Sequence, residues 1–281
     1  VVSAAVRERG VPVALSGLGG DEIFGGYPSF QRLTRVADLA RVWGRLPAMV
    51  RQLAAGTLRA AAGDSVATAK TAALLASDGQ VSSMFPLLRQ VLSEEQRTMF
   101  LAPAVLDRVA DRTDPYERVL AEAFGAGGVS TFAQVSFAES RTYMHDVLLR
   151  DTDQMSMAHA LEVRVPLLDH VLVDLVSALP DAVKQPDGSG TPKRLLVESL
   201  GGLLPDSIVR RPKQGFTLPF DPWMRGPLRG EVERTVRGCA LLDAGELDRL
   251  WRGFLAGDDH LSPRVWGLFR LLRWAEKNIG A

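Results

Sequence analysis

The chain has 281 residues, is 46% hydrophobic with a mean hydropathy of +0.04, and balances 33 basic against 33 acidic residues. That is enough apolar material for a sizeable core, and the zero net charge speaks against nucleic acid or an acidic membrane surface as a partner. A single cysteine, Cys239, excludes a disulfide framework and any multi-cysteine metal site and fits a reducing, cytoplasmic compartment. No apolar run reaches the roughly 20 residues that a membrane-spanning helix needs.

The chain opens on a helical stretch, and Val11 to Leu15 then reads as a short buried strand closed by Ser16-Gly17. Buried strands of this kind sit in parallel sheets and need neighbours. No second strand reads downstream, so the partner strands are expected upstream and the chain is expected to be the C-terminal part of a longer α/β protein. Residues 1–30 are then the end of a sheet with its loop, and residues 31–281 a helical part. Leu33, Val36, Ala37, Ala40 and Leu46 recur at helical spacing, and Ala54 to Ala76 is Ala-rich with high helix propensity. Met84 to Val91 and Ser93 to Phe100 read as two further helices, the second opened by a capping box, Ser93-Glu94-Glu95-Gln96. Pro115 opens a helix to Phe124. Helices are then predicted over Thr131 to Leu149, Ser156 to Leu161, Leu167 to Ala178 and Lys193 to Leu200, and Pro227 to Gly280 reads as helices with turns near Gly238 and Gly257.

Three constellations carry chemistry. The first is Ser16-Gly17-Leu18-Gly19-Gly20-Asp21-Glu22, a glycine-rich loop after a strand. In open α/β sheets ligands bind at such carboxyl ends, glycines let backbone N–H groups approach a ligand, and Asp21 and Glu22 offer hard oxygen ligands suited to Mg²⁺. A plain strand-to-helix turn is the competing reading, and the loop is not the GxxxxGK[ST] phosphate loop. The second runs from Asp151 to Asp169. Met155, Met157 and Leu161 read as core, His159 and His170 as structural, and Glu162 and Arg164 as charges between apolar residues that must be paired to persist. A structural ion pair and a catalytic role weigh about equally for those two. The third, Arg210 to Phe216, is a basic loop stiffened by Pro212, in which Lys213 is placed to stabilise charge on a transferring phosphate or a developing oxyanion.

Together and in this order, SGxGxDExFGGY, D-x-D-x-x-S/T-M-A-x-x-x-E-x-R-x-P-x-L-D and R-x-K-x-x-F resemble the asparagine synthetase family, glutamine-dependent amidotransferases that activate a carboxylate with ATP. The resemblance implies an α/β synthetase domain of the adenine nucleotide alpha-hydrolase type, of which this chain is the mostly helical C-terminal part. The glutaminase domain and the SGGxDS loop that family members carry do not occur in it. It implies ATP and Mg²⁺ as cofactors, a small-molecule carboxylate as substrate, and glutamine as the ammonia source through the N-terminal domain. It is compatible with a homodimer. Ser16, Gly17, Leu18, Gly19, Asp21 and Glu22 match nucleotide-binding positions, Asp21 a Mg²⁺ ligand, Lys213 the lysine of the adenylation step, and Glu162 and Arg164 the family's E-x-R. Lys193 matches a recurrent lysine that starts a helix, read as structural.

Two positions depart from the pattern. Asparagine synthetases carry Glu where Leu18 stands, and β-lactam synthetases carry Tyr. Gln154 replaces the usual Arg or Lys. Losing both groups points away from plain aspartate amidation toward another carboxylate. A β-lactam-forming activity is disfavoured by Leu18, and a non-catalytic helical module is the remaining alternative.

Overall fold

Residues 1–63, 66–108, 115–124, 128–185, 192–211, 218–237 and 240–280 are described in the computed structural model. Helix α1 (Val2–Glu8) leads into strand β1 (Val13–Leu15), and the glycine loop follows, with a single helical turn, α2 (Gly20–Ile23). Pro28 opens α3 (Pro28–Gly44), whose Phe30, Leu33 and Ala37 are buried at the predicted spacing. The Ala-rich stretch forms two helices, α4 (Ala48–Ala62) and α5 (Val66–Ala76), because Gly63 ends the first at φ +72°. Arg51 ties the three together by donating to the carbonyls of Gly44 (2.6 Å), Leu46 (2.9 Å) and Ala76 (3.4 Å), satisfying the open C-terminal end of α3.

Helices α6 (Val81–Arg89), α7 (Glu94–Phe100), α8 (Pro103–Leu106) and α9 (Pro115–Phe124) follow. The predicted capping box is present: Ser93 Oγ accepts from Gln96 N at 3.2 Å, and Gln96 Oε1 accepts from Ser93 N at 3.1 Å. Ser93→Ala is expected to cost about 0.5–2 kcal/mol in a denaturant melt.

The long helix predicted to end at Leu149 continues to Met157. It comprises α10 (Thr131–Glu139), a ten-residue π-helical stretch (Ser140–Leu149) and α11 (Arg150–Met157). Ser156 therefore starts no new helix. Met155 and Met157, read from the sequence as core, are 58% and 60% exposed, and only Leu161 of that trio is buried.

The main departure comes next. Glu162–Arg164 is a strand, β2, paired parallel with β1 in the register Val13↔Glu162, Ala14↔Val163, Leu15↔Arg164. A parallel neighbour of β1 thus lies downstream, within the stretch expected to be only helical. The expectation that β1 is buried is not met either: Leu15 is 74% exposed, and Val13 and Ala14 are half-buried. After a 3₁₀ turn (Pro166–Leu168) come α12 (His170–Ala178), capped by Asp169, then α13 (Asp181–Lys184), α14 (Arg194–Ser199) and α15 (Asp206–Val209). The C-terminal stretch holds α16 (Phe220–Arg225), α17 (Arg229–Arg237), α18 (Ala244–Leu255) and α19 (Ser262–Ile279).

The chain divides into two compact units, Val1–Leu88 with Asp114–Arg211, and Arg89–Thr113 with Pro212–Ala281. The first has a core of Phe30, Leu33, Phe85, Leu120, Phe132 and Val135, and a smaller cluster of Ile23, Phe24 and Val176 against Leu195 and Leu196. The second is built on Phe100, Met224, Val232, Trp251, Phe254 and Leu272. Among the described residues no helix is long and apolar enough to cross a membrane.

Candidate functional site

Parallel pairing brings the carboxyl ends of β1 and β2 to the same side, so the loops that follow them meet. The ladder extends past both strands: Ser16 N donates to Arg164 O at 2.8 Å and Glu162 N to Pro12 O at 3.0 Å. Gly19 lies in the left-handed region (φ +90°), and a Cβ there would stand 2.4 Å from the Leu168 side chain. Gly20 presses on Leu167 in the same way at 3.0 Å. The glycines therefore do two things: they turn the chain from strand to helix, and they admit the loop that follows β2. Gly17 is exposed, with nothing within 4 Å of a Cβ built on it. Leu18 N approaches Ser16 Oγ at 3.4 Å, and the Leu18 side chain is half-buried.

The two acids of the loop part company. Asp21 Oδ1 lies 3.2 Å from the ammonium of Lys193, the two side chains being 25% and 35% exposed. Lys193 holds an unusual backbone, φ +58°, at the N-cap of α14, and α14 is anchored against α2 through Leu195 and Leu196. Glu22 turns the other way. It is 1% exposed, and its Oε1 accepts from the Tyr27 hydroxyl at 2.7 Å. Burial, and then the bond to Glu22, push the Tyr27 phenol far above its ordinary value. A second buried carboxylate, Glu139, accepts from Ser29 Oγ at 2.5 Å, and Ser136 Oγ donates to the Glu22 carbonyl at 2.9 Å. This network fastens the loop to α3 and α10. Glu22 is thereby turned away from the loop surface where a nucleotide was expected to meet it.

Glu162 and Arg164, two apart on β2, share one face. Arg164 Nε donates to Glu162 Oε1 at 2.7 Å, and both side chains are more than half exposed, so the charges expected to be buried are solvated. The carboxylate beside it raises the Arg164 guanidinium further above its ordinary value. Lys213 lies outside the described residues, so of the proposed set the structure brings together Ser16 to Asp21 and the E-x-R strand. His159 and His170 are exposed, and among the described residues no group of three or more His, Cys, Asp or Glu could hold a metal ion.

Lys193 and the Tyr27–Glu22 network are the features that sequence reasoning did not place. Glu139 had a signal, being a lone acid at the end of the apolar run Phe132 to Ala138. Lys193 had only its position. Its two roles separate experimentally. Lys193→Gly relieves a left-handed backbone worth about 1–2 kcal/mol and removes a half-exposed ion pair worth about 0–1 kcal/mol. The expected melt is unchanged or higher, whereas Lys193→Val should lose about 1–2 kcal/mol because a β-branched residue pays that backbone cost in full.

The profile of the Asparagine synthase family matches residues 1–276. The chain is 26% identical over 282 residues to asparagine synthetase [glutamine-hydrolyzing] 1 of Bacillus subtilis, covering 98% of this chain and 42% of that protein. It is 27% identical over 294 residues to a putative asparagine synthetase [glutamine-hydrolyzing] of Mycobacterium tuberculosis, covering 96% and 40%. It is also 26% identical over 274 residues to amidase chry2 of Gibberella zeae, covering 88% and 38%. The chain thus spans about two-fifths of these relatives' length. No solved structure matches it. With the family profile covering nearly the whole chain and the glycine loop and E-x-R strand side by side, the chain belongs to the asparagine synthase family.

Proposed function

We propose that this chain is the C-terminal part of the synthetase domain of an ATP-dependent amidotransferase, one that adenylates a carboxylate and passes glutamine-derived ammonia to it. The observation that carries the reading is the glycine turn Ser16–Gly20 at the carboxyl end of β1, beside the loop after β2, with Asp21 held at its rim by Lys193. The β1–β2 pair is then one edge of a larger α/β sheet of the adenine nucleotide alpha-hydrolase type. Leu15, exposed at the end of β1, is what a strand with further partners would present.

The donor set fits Mg²⁺ that arrives with nucleotide phosphates rather than in a protein cage. Asp21 supplies one partly exposed carboxylate, and Mg²⁺ commonly takes one or two carboxylates together with phosphate oxygens. The metal would neutralise charge on those phosphates. Ser16 Oγ and the open backbone at Gly17 are placed to meet the nucleotide, and Lys213 to stabilise charge as the carboxylate attacks the α-phosphate. Lys193 keeps the Asp21 carboxylate oriented until a ligand competes for it. Glu162 and Arg164 form a solvated, mutually oriented pair next to this edge. Glutamine supplies ammonia through a separate glutaminase domain, in a cytoplasmic enzyme.

The substrate is a carboxylate other than aspartate. Leu18 offers no charge to read an amino acid's ammonium, and Gln154 is exposed and uncharged. The likeness to a relative named an amidase supports a broader range of acceptors.

The test is AMP release by this chain joined to a family glutaminase domain and SGGxDS loop, with ATP, Mg²⁺, glutamine or ammonia, and a panel of carboxylates including aspartate. The expected result is AMP formation that depends on one non-aspartate carboxylate, falls at least 100-fold in Asp21→Asn, as for loss of a transition-state charge contact, and is absent with the 281 residues alone. No AMP with any carboxylate would count heavily against the reading and favour a non-catalytic helical module.

A further inference from the structure

Helices α3, α5 and α6 enclose an open cavity of about 560 Å³ in the first unit. This lies within the roughly 300–1,000 Å³ range of small-molecule sites, which are mostly apolar with a few placed polar groups. Buried Leu33 and Met84 line it, together with Trp43, Leu74 and Leu88. Its lip carries Leu39, 73% exposed, and Arg32.

The polar groups of the lining decide what could enter. Trp43 Nε1 already donates to Leu75 O at 2.8 Å, and Thr71 Oγ1 to Ala67 O at 2.9 Å. Arg32 has no hydrogen-bond or ion-pair partner among the described residues. The cavity therefore has no unspent side-chain donor or acceptor except one guanidinium at its lip. A sugar, nucleotide or peptide backbone would lose its water there and find nothing in exchange. An aliphatic body with a single anionic end would leave no polar group unmatched.

The surroundings agree. Residues 28–63 carry six arginines and one aspartate, Asp38, which pairs with Arg41 at 3.2 Å. Two copies of this basic face would repel each other, which argues against a second copy as the occupant. We infer that this cavity binds a free aliphatic carboxylate, its chain along Leu33, Trp43, Leu74 and Leu88 and its carboxylate on Arg32. The site is independent of the glycine loop and of the reaction proposed for it.

The test uses the 281-residue chain and dodecanoate. Displacement of 1-anilinonaphthalene-8-sulfonate should show one saturable site, with dodecanol about tenfold weaker, the worth of one charge-assisted hydrogen bond. Arg32→Gln should weaken dodecanoate about tenfold and leave dodecanol unchanged. Leu39→Glu, at an exposed position where folding is not at stake, should weaken dodecanoate by repulsion. A diazirine-bearing dodecanoate should label peptides containing residues 32–43 and 71–88. Absence of saturable binding, labelling confined to other peptides, or an Arg32→Gln variant that binds dodecanoate as the parent does would each overturn the proposal. Binding to phosphatidylglycerol vesicles without any binding of free dodecanoate would overturn it in favour of a membrane-facing surface.

Discussion

Replacing Gly79 with alanine is expected to destabilise the first unit by about 2–5 kcal/mol, enough to unfold much of a marginally stable domain. Two costs add. Gly79 has φ +76°, a conformation in which an L-residue pays about 1–2 kcal/mol. Its Cβ would also stand 2.0 Å from the carbonyl oxygen and 2.6 Å from the carbonyl carbon of Ala40. Those are backbone atoms of α3, so no rotamer change relieves the clash, and overpacking of this kind costs about 1–3 kcal/mol. Gly63→Ala separates the two. Gly63 has φ +72° and nothing within 4 Å of an added Cβ, so it reports the backbone cost alone. Denaturant melts of both variants should therefore differ by about 1–3 kcal/mol, and equal losses would show that α3 yields to the turn.

Tyr27→Phe is the second large effect, expected at about 2–4 kcal/mol, mostly as the cost of leaving the buried Glu22 carboxylate without its phenol donor. The direction with pH is also determined. The folded-state phenol is raised above its unfolded value of about 10. Its stabilising contribution is therefore fully present below about pH 10 and is lost as the pH rises above that, because the unfolded chain releases the proton first. The parent should lose stability through the alkaline range, and Tyr27→Phe should remove that part of the slope. Tyr27→Phe,Glu22→Leu should recover much of the single variant's loss, since removing both partners leaves no orphaned charge. If the double variant is no better than the single one, the cost lies in packing against Tyr143, whose ring meets Tyr27 edge-on at 6.2 Å.

Both effects concern the scaffold of the loop, and that scaffold was only partly legible in the sequence. The helices of α3, α7 and α9 announced themselves through apolar spacing, a capping box and a proline at a first turn, all of them local signals. The break at Gly63 and the run of helix from Thr131 to Met157 were misjudged because propensity alone does not say where a helix stops. Strand β2 was invisible for a stronger reason. Three residues of alternating charge and valine have too little periodicity to mark a strand, and what makes Glu162–Arg164 extended is its pairing with Val13–Leu15, nearly 150 residues away in the chain. Met155 and Met157 were read as core on residue type, but one helical turn cannot bury every apolar side chain it carries.

The sequence by itself determined the family, through the spacing and order of SGLGGDEIFGGY and the E-x-R segment, and it determined which residue types could bear chemistry. It also exposed Leu18 and Gln154 as departures, because those are statements about identity. Direction and partnership were decided only by the tertiary structure. Asp21 and Glu22 are adjacent and chemically alike, yet one meets Lys193 at the rim of the loop and the other meets Tyr27 in the interior. Successive residues of a helical turn face about 100° apart, so the packing of α2 against α3, α10 and α14 sends one carboxylate out and the other in. No local pattern contains that information, because the groups that sort the two acids come from four separate stretches of the chain.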